Sequence, residues 1–425
     1  MSKILKKQDE KHDWAYLILF LTVLFLFGIQ DAVQDDLKIF QYLDEAFGLL
    51  IVPAFMLRWY QKSISCRISR RQALFITLFA VFWLSGWVGV LQYHYQPMAN
   101  VLKDAYVALK FFLTMGASYL IFREIRDFRW MEKKLWYAAN AATAVLTCFC
   151  ILDLMFGLFY TETRYGFPAI KLFYSSYTAL VAVCCVLCAI YLRLYERYRN
   201  KILIPLAFLF FVMMNTKRVK AVGAMLCIFV IYMYAFHRGK KISRKIWIPA
   251  LICAVIAVGS MVWQLIYYYY QLGYESARLI MTIAAPYITK DYLPFGTGWA
   301  TFGSAFSAEP YSPVYTMYGM NVVWGISPTY HQFISDTFWP MILVENGVLG
   351  LAAYIGALIL LILRILQFRK RNASVFASAI FPILYLLIAS SSESAFVNPL
   401  AVPFAFWIGF LFAEDYRNLQ MEKSV

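Results

Sequence analysis

The sequence predicts an all-α, polytopic membrane helix bundle, and three observations predict it. Hydrophobic residues make up 62% of the 425 and charged residues only 15%, far from the balance of soluble domains. The apolar residues fall in runs close to the ~20 needed to cross the hydrocarbon core as a helix. Lys and Arg collect in the turns between alternate runs. Lipid offers the backbone no hydrogen-bonding partner, and nothing here alternates with the period of a barrel strand, so the runs must be helices.

In chain order the first six runs are Trp14 to Gln30, Ala46 to Leu57, Ala73 to Gln92, Ala105 to Phe122, Leu135 to Gly157 and Leu172 to Leu192. The next six are Ile202 to Met214, Ala221 to Phe236, Ile246 to Tyr268, Met341 to Leu363, Val375 to Ala389 and Leu400 to Ala413. The shorter ones extend into their flanks, giving about twelve crossings. Most connections are short, which predicts a single transmembrane domain over 1–425. One does not fit: residues 269–340, between helices 9 and 10, form a long segment rich in Tyr, Pro, Gly and Ser. It carries too many aromatics to be a solvated linker, and an ordered extracytoplasmic lid is expected. Within it, Glu275 to Ile288 has helical apolar spacing, predicting a short helix on the membrane surface. Pro294-Phe295-Gly296-Thr297-Gly298 reads as a tight turn, with phosphate cradling the weaker reading.

The net charge of +15 is explained by topology. With the N-terminus in the cytoplasm, about 29 of the 39 Lys and Arg fall in cytoplasmic turns and the two ends, as the positive-inside rule requires. Nucleic acid is therefore rejected as a partner. No signal-peptide cleavage site is evident after the first helix. The cysteines lie in helices or a cytoplasmic turn, so no disulfide framework is implied. Cys184, Cys185 and Cys188 have no His or carboxylate beside them and read as helix packing.

The informative cations are the ten on the other side: Lys38, Lys103, Lys110, Arg164, Lys171, Lys217, Arg218, Lys220, Arg278 and Lys290. Lys217, Arg218 and Lys220 form one turn between two apolar runs. Cations in or near hydrocarbon cost about 2.5–3.5 kcal/mol each, so three together call for an anionic partner: lipid headgroup, protein carboxylate or bound phosphate. Arg164 and Arg278 come from separate segments, and arginine forks bind phosphate oxygens bidentately. A lipid-linked pyrophosphate is the natural ligand.

His94 and His331 are the two histidines on that side, and a neutral imidazole is well suited to take a proton from an attacking hydroxyl. Two histidines make no metal site, so no metal and no cofactor are expected. Glu345, at the end of a spanning run, should find a site arginine or helix N-terminal amides.

At these residues the chain resembles the O-antigen ligase and Wzy-type polysaccharide polymerase family of bacterial cell-surface glycosyltransferases. The resemblance covers roughly Arg164 to Leu363. It rests on Lys217-Arg218, on Arg278 ahead of Pro294 to Gly298, and on His331-Gln332-Phe333 ahead of Glu345-Asn346-Gly347-Val348-Leu349-Gly350. Val219 and Gln332 stand where the family often has a small residue, commonly glycine, and asparagine, which weighs against the ligase branch and leaves the shared chemistry intact.

The resemblance implies a GT-C-like bundle in the bacterial cytoplasmic membrane, both termini cytoplasmic, joining glycans carried on undecaprenyl pyrophosphate. Arg218 and Arg278 would hold the pyrophosphate with Arg164, Lys217 and Lys220 beside them, and His331 would activate the acceptor hydroxyl. The implied partners are the lipid-linked donor and acceptor, membrane lipid, a flippase and a chain-length regulator. Trp299, Tyr311, Tyr315, Tyr318, Trp324 and Tyr330 are candidates for sugar stacking or for interface anchoring. The expected activity is polymerisation of repeat units into capsule, exopolysaccharide or O-antigen. The alternatives are a ligase acting on a terminal acceptor and, in another class, a flippase, for which Lys110 and Asp153 as midplane charges are the best support.

Overall fold

The computed structural model describes residues 2–34, 36–61, 69–125, 128–159, 162–164, 166–236, 262, 266–267, 273 and 276–424. The helices are α1 (Ser2–Val33), α2 (Leu43–Leu49), α3 (Ile51–Tyr60), α4 (Arg70–Tyr93), α5 (Met98–Phe122) and α6 (Phe128–Phe156). A two-stranded hairpin follows, β1 (Glu162–Arg164) and β2 (Phe167–Ala169), then α7 (Tyr177–Tyr198), α8 (Leu203–Asn215) and α9 (Val219–Phe236). The remainder is α10 (Ala277–Asp291), α11 (Pro313–Met317), α12 (Trp339–Phe368), α13 (Ala373–Ala389) and α14 (Val402–Ser424). The expected span Ile246 to Tyr268 lies almost wholly outside the described residues, as do the turn Arg238 to Lys245 and the first residues of the long segment.

Among the described residues, 8 stretches are long and apolar enough to cross a membrane, and α13 is a shorter apolar helix. One of the eight, Tyr177–Asn215, is 39 residues long and folds back on itself. Arg199 takes the left-handed φ of 42°, and a 3-10 turn over Arg199–Ile202 starts the return. Arg218, just beyond α8, lies over the ring of Tyr177, the first residue of α7, at 4.3 Å. The two helices are therefore antiparallel.

The charges separate to opposite ends of the bundle. At one end Arg193 pairs with Glu414 and with Glu132 at 3.0 Å, and Arg364 and Arg371 reach Asp415 at 2.8 and 3.0 Å. Trp14 of α1 packs edge-on against Trp130 there, so the start of α1 and the end of α14 share this end. At the other end lie Arg218, Lys220 and Arg278.

Residues 276–338 pack over that second end with an apolar core of their own: Met281, Ala285 and Ile288 of α10 meet Phe302, Tyr315 and Ile334. Here the structure departs from expectation. The apolar face of α10 is turned into protein and packs on α12; it is not spread on a membrane surface. Trp299 and Tyr315 are 1% and 0% exposed, so these two rings are core and not sugar platforms.

The segment is fastened by an interlock joining two sequence motifs. Helix α12 breaks at Gly347 (φ 67°, ψ −175°), a conformation essentially reserved for glycine. The break frees carbonyls, and the Pro294–Gly298 turn supplies the donors: Thr297 N bonds Val344 O at 2.8 Å and Gly298 N bonds Glu345 O at 3.0 Å. A Cβ on Gly347 would sit 2.1 Å from Pro294 O. Those amides are thereby spent, which settles the turn as structural.

Candidate functional site

Two separated segments bring three cations to one cavity of about 200 Å³, lined by Arg218, Lys220, Arg278, Asp336, Glu393 and the Ser176–Thr178 start of α7. Arg218 and Lys220 come from the turn into α9. That turn is set by Lys217, whose φ of 51° ends the preceding helix, and is tied to the hairpin through Ile170 N to Asn215 O at 2.9 Å. Arg278 sits in the first turn of α10, whose N-cap is the Ser276 hydroxyl. Asp336 and Glu393 are held together because Ser394 donates from its amide and its hydroxyl to Ser335 O at 3.1 and 2.9 Å.

The cations are neutralised by carboxylates. Arg278 donates through Nε and Nη2 to Asp336 Oδ2 at 3.1 and 2.8 Å. Lys220 Nζ lies 2.7 Å from Glu393 Oε2. Glu162 on β1 serves two arginines, accepting from Arg164 Nε at 2.6 Å and lying 3.7 Å from Arg218 Nη2. Burial pushes the Glu162 carboxyl up, but the hydrogen bond from Arg164 and the charges of Arg164 and Arg218 outweigh it and hold the group below the ordinary range. Asp336 goes the other way: burial raises it by more than Arg278 and Lys220 lower it.

The cations predicted from sequence thus divide. Arg218, Lys220 and Arg278 line the cavity. Arg164 stands behind it, sharing Glu162. Lys217 turns away, its ammonium 5.6 Å from the centre of the Phe167 ring. His331 is not among the lining residues; its Nδ1 is 3.3 Å from Pro328 O and its Nε2 3.5 Å from Glu309 Oε1. Beside it Trp324, 63% exposed, stacks on Tyr330 at 4.9 Å. His94 caps α4 in the left-handed conformation.

The chain matches no known family model and no curated protein. Its function has to be read from the site itself.

Glu345 meets no site arginine. It is fully buried, and its Oε1 accepts from Thr301 N and Phe302 N at 2.9 and 3.0 Å, amides of a loop turn and not of a helix N-terminus. Asp104 on α5 completes this support, accepting from Ala300 N at 2.6 Å and from the Ser304 hydroxyl. The two carboxyls hold the loop after the interlock from beneath.

Sequence reasoning missed Glu162, Asp336 and Glu393. A signal was present. Three cations at one end of an apolar bundle require countercharge, and Glu162, Asp336 and Glu393 lie in segments that join apolar runs on the same side as those cations.

The two charges singled out for the flippase reading both have local partners. Lys110 is paired with Asp44, their side chains 2% and 0% exposed, and Gln30 Nε2 donates to the same carboxylate at 2.8 Å. Asp153 caps the end of α6, accepting from Phe159 N at 2.6 Å.

Proposed function

We propose that the protein is a membrane glycosyltransferase that polymerises undecaprenyl-pyrophosphate-linked oligosaccharide repeat units at the outer face of the bacterial cytoplasmic membrane. The reading takes the chain to cross about twelve times, with both termini cytoplasmic and 269–340 as the extracytoplasmic lid. One observation carries it: Arg218, Lys220 and Arg278, from distant segments, converge on one cavity at the end opposite the basic turns.

A pyrophosphate offers several charged acceptors to those donors and can replace the carboxylates that hold them. Pyrophosphate is already a good leaving group, so the protein has only to stabilise its growing charge, position the acceptor and accept one proton. The acceptor hydroxyl attacks the anomeric carbon as the bond to the pyrophosphate oxygen breaks. The hydroxyl proton passes to the imidazole of His331, and undecaprenyl pyrophosphate leaves. In-line attack inverts the anomeric centre. Glu309 lies 3.5 Å from His331 Nε2, and the Trp324–Tyr330 stack beside it offers a face to an acceptor sugar.

The ligase alternative uses the same chemistry with a terminal acceptor. Analysis of lipid-linked glycans in a deletion strain separates the readings. Loss of a polymerase leaves single repeat units outside, loss of a ligase leaves long lipid-linked chains, and loss of a flippase traps units inside. His331→Ala in a complemented strain tests the base; full polymer yield from that variant sinks the assignment.

A further inference from the structure

The cationic cavity has acids on its own wall. Among the residues lining it, Asp336 lies 2.8 Å from Arg278 and Glu393 2.7 Å from Lys220. The third carboxylate, Glu162, stands behind Arg218 and is shared with Arg164. The two wall acids come from different places in the chain, Asp336 just ahead of α12 and Glu393 just after α13. Their backbones are pinned to each other. Ser394 donates from its amide and its hydroxyl to Ser335 O, and Trp339 Nε1 donates to Ser390 Oγ at 3.0 Å. The acid side chains are 22% and 18% exposed, so salt and water screen them only in part.

An anion seated on the three cations therefore lies beside two held negative charges, and the repulsion grows with the anion's own charge. The proposed transfer changes that charge. The donor is a pyrophosphate diester, with two negative charges when ionised. As the acceptor oxygen bonds the anomeric carbon, the bond from that carbon to the pyrophosphate oxygen breaks. Its electron pair stays on that oxygen, and the acceptor's proton goes to His331. The lipid leaves as a monoester, with a third negative charge. Three cations without the acids would hold that product harder than the donor.

We infer that Asp336 and Glu393 are product-release residues, offsetting the pull of Arg218, Lys220 and Arg278 on the charge that the leaving pyrophosphate gains. The inference rests on the pyrophosphate reading above and adds to it how the spent carrier gets out. At an effective dielectric of ~20, one charge added about 6–8 Å from a carboxylate is repelled enough to weaken binding roughly thirtyfold to a hundredfold. The same repulsion acts on the charge developing in the transition state, so the acids trade some speed of bond cleavage for release.

The test uses two ligands with one chain: farnesyl pyrophosphate, the monoester, and its terminal methyl ester, the diester. They differ by one charge, and both are titrated by calorimetry into the full-length protein in neutral detergent at a pH of about 8, where the monoester is fully ionised. The parent is expected to bind the two within about tenfold of each other. Asp336→Asn and Glu393→Gln should each tighten the monoester at least about tenfold more than the diester. Asp336→Glu, which keeps the charge, should keep the parent's ratio. Both esters are read on one preparation, so incomplete folding lowers the competent fraction and leaves the ratio; Glu393→Gln serves if Asp336→Asn aggregates. Equal tightening of both esters, unchanged affinities, or an Asp336→Glu ratio matching that of Asp336→Asn overturns the proposal. The pyrophosphate reading is checked separately: if Arg218→Gln with Arg278→Gln leaves binding of both esters intact, that reading fails. If that pair abolishes binding while the wall-acid variants keep the parent's ratio, only the release role fails.

Discussion

Replacing Lys110 by Met is expected to destabilise the bundle by about 3–5 kcal/mol, the usual effect of removing one partner from a buried ion pair. The pair joins α2 to α5, with neither side chain more than 2% exposed. Glu45 adds a second carboxylate 3.7 Å from the ammonium; at an effective dielectric of ~20 that contact alone is a Coulomb attraction of about 4 kcal/mol before desolvation. Without Lys110, two carboxylates face each other where water cannot reach Asp44. Asp44→Asn in the same chain removes that charge while leaving an acceptor for Gln30, so the double variant should recover most of the loss. Equilibrium unfolding in mixed micelles by SDS titration, followed by tryptophan fluorescence, measures both. A Lys110→Met variant as stable as the parent refutes the reasoning, and so does a double variant no better than the single. A stable double variant that retains activity also removes these charges from any transport mechanism.

Three other perturbations follow from the geometry. Gly347→Ala places a Cβ against Pro294 O in a conformation that alone costs a non-glycine residue about 1–3 kcal/mol; it should release the Pro294–Gly298 turn, seen as faster limited proteolysis there and a lower unfolding midpoint. Arg278→Gln removes a charge-assisted donor worth about 1.5–3 kcal/mol, and should weaken pyrophosphate binding roughly tenfold to a hundredfold by calorimetry, while Asp336→Asn, which relieves the competing carboxylate, should tighten it. Because the folded Glu162 carboxyl is held below its ordinary range, its contribution is present above the unfolded value near ~4.3 and is lost as pH falls through the folded one. Hydrogen exchange of the 162–169 hairpin should therefore stay slow through pH 5 and accelerate only below the normal glutamate range; acceleration already at pH 5–6 contradicts the pairing with Arg164 and Arg218.

The membrane bundle was legible because its signal is local. Run length and the alternation of basic turns are one-dimensional properties, and the cations outside that alternation, notably Arg218, Lys220 and Arg278, do share one cavity. Other expectations failed where burial decides. Trp299 and Tyr315 look like surface aromatics in a Tyr-rich segment, yet Tyr315 lies in the core under residues 276–338 and Trp299 in the main bundle core against Phe82. Glu345 looks like a partner for arginine, yet it is spent on loop amides.

The sequence by itself determined that the chain is a helical membrane bundle with displaced positive charge, because hydropathy and charge sign are fixed residue by residue. Only the tertiary structure decided which carboxylate holds which cation, that Pro294–Gly298 closes the break at Gly347, and that Arg278 meets Arg218 and Lys220 in one cavity. Those depend on pairings between residues dozens to hundreds of positions apart, whose partners are chosen by how the helices pack.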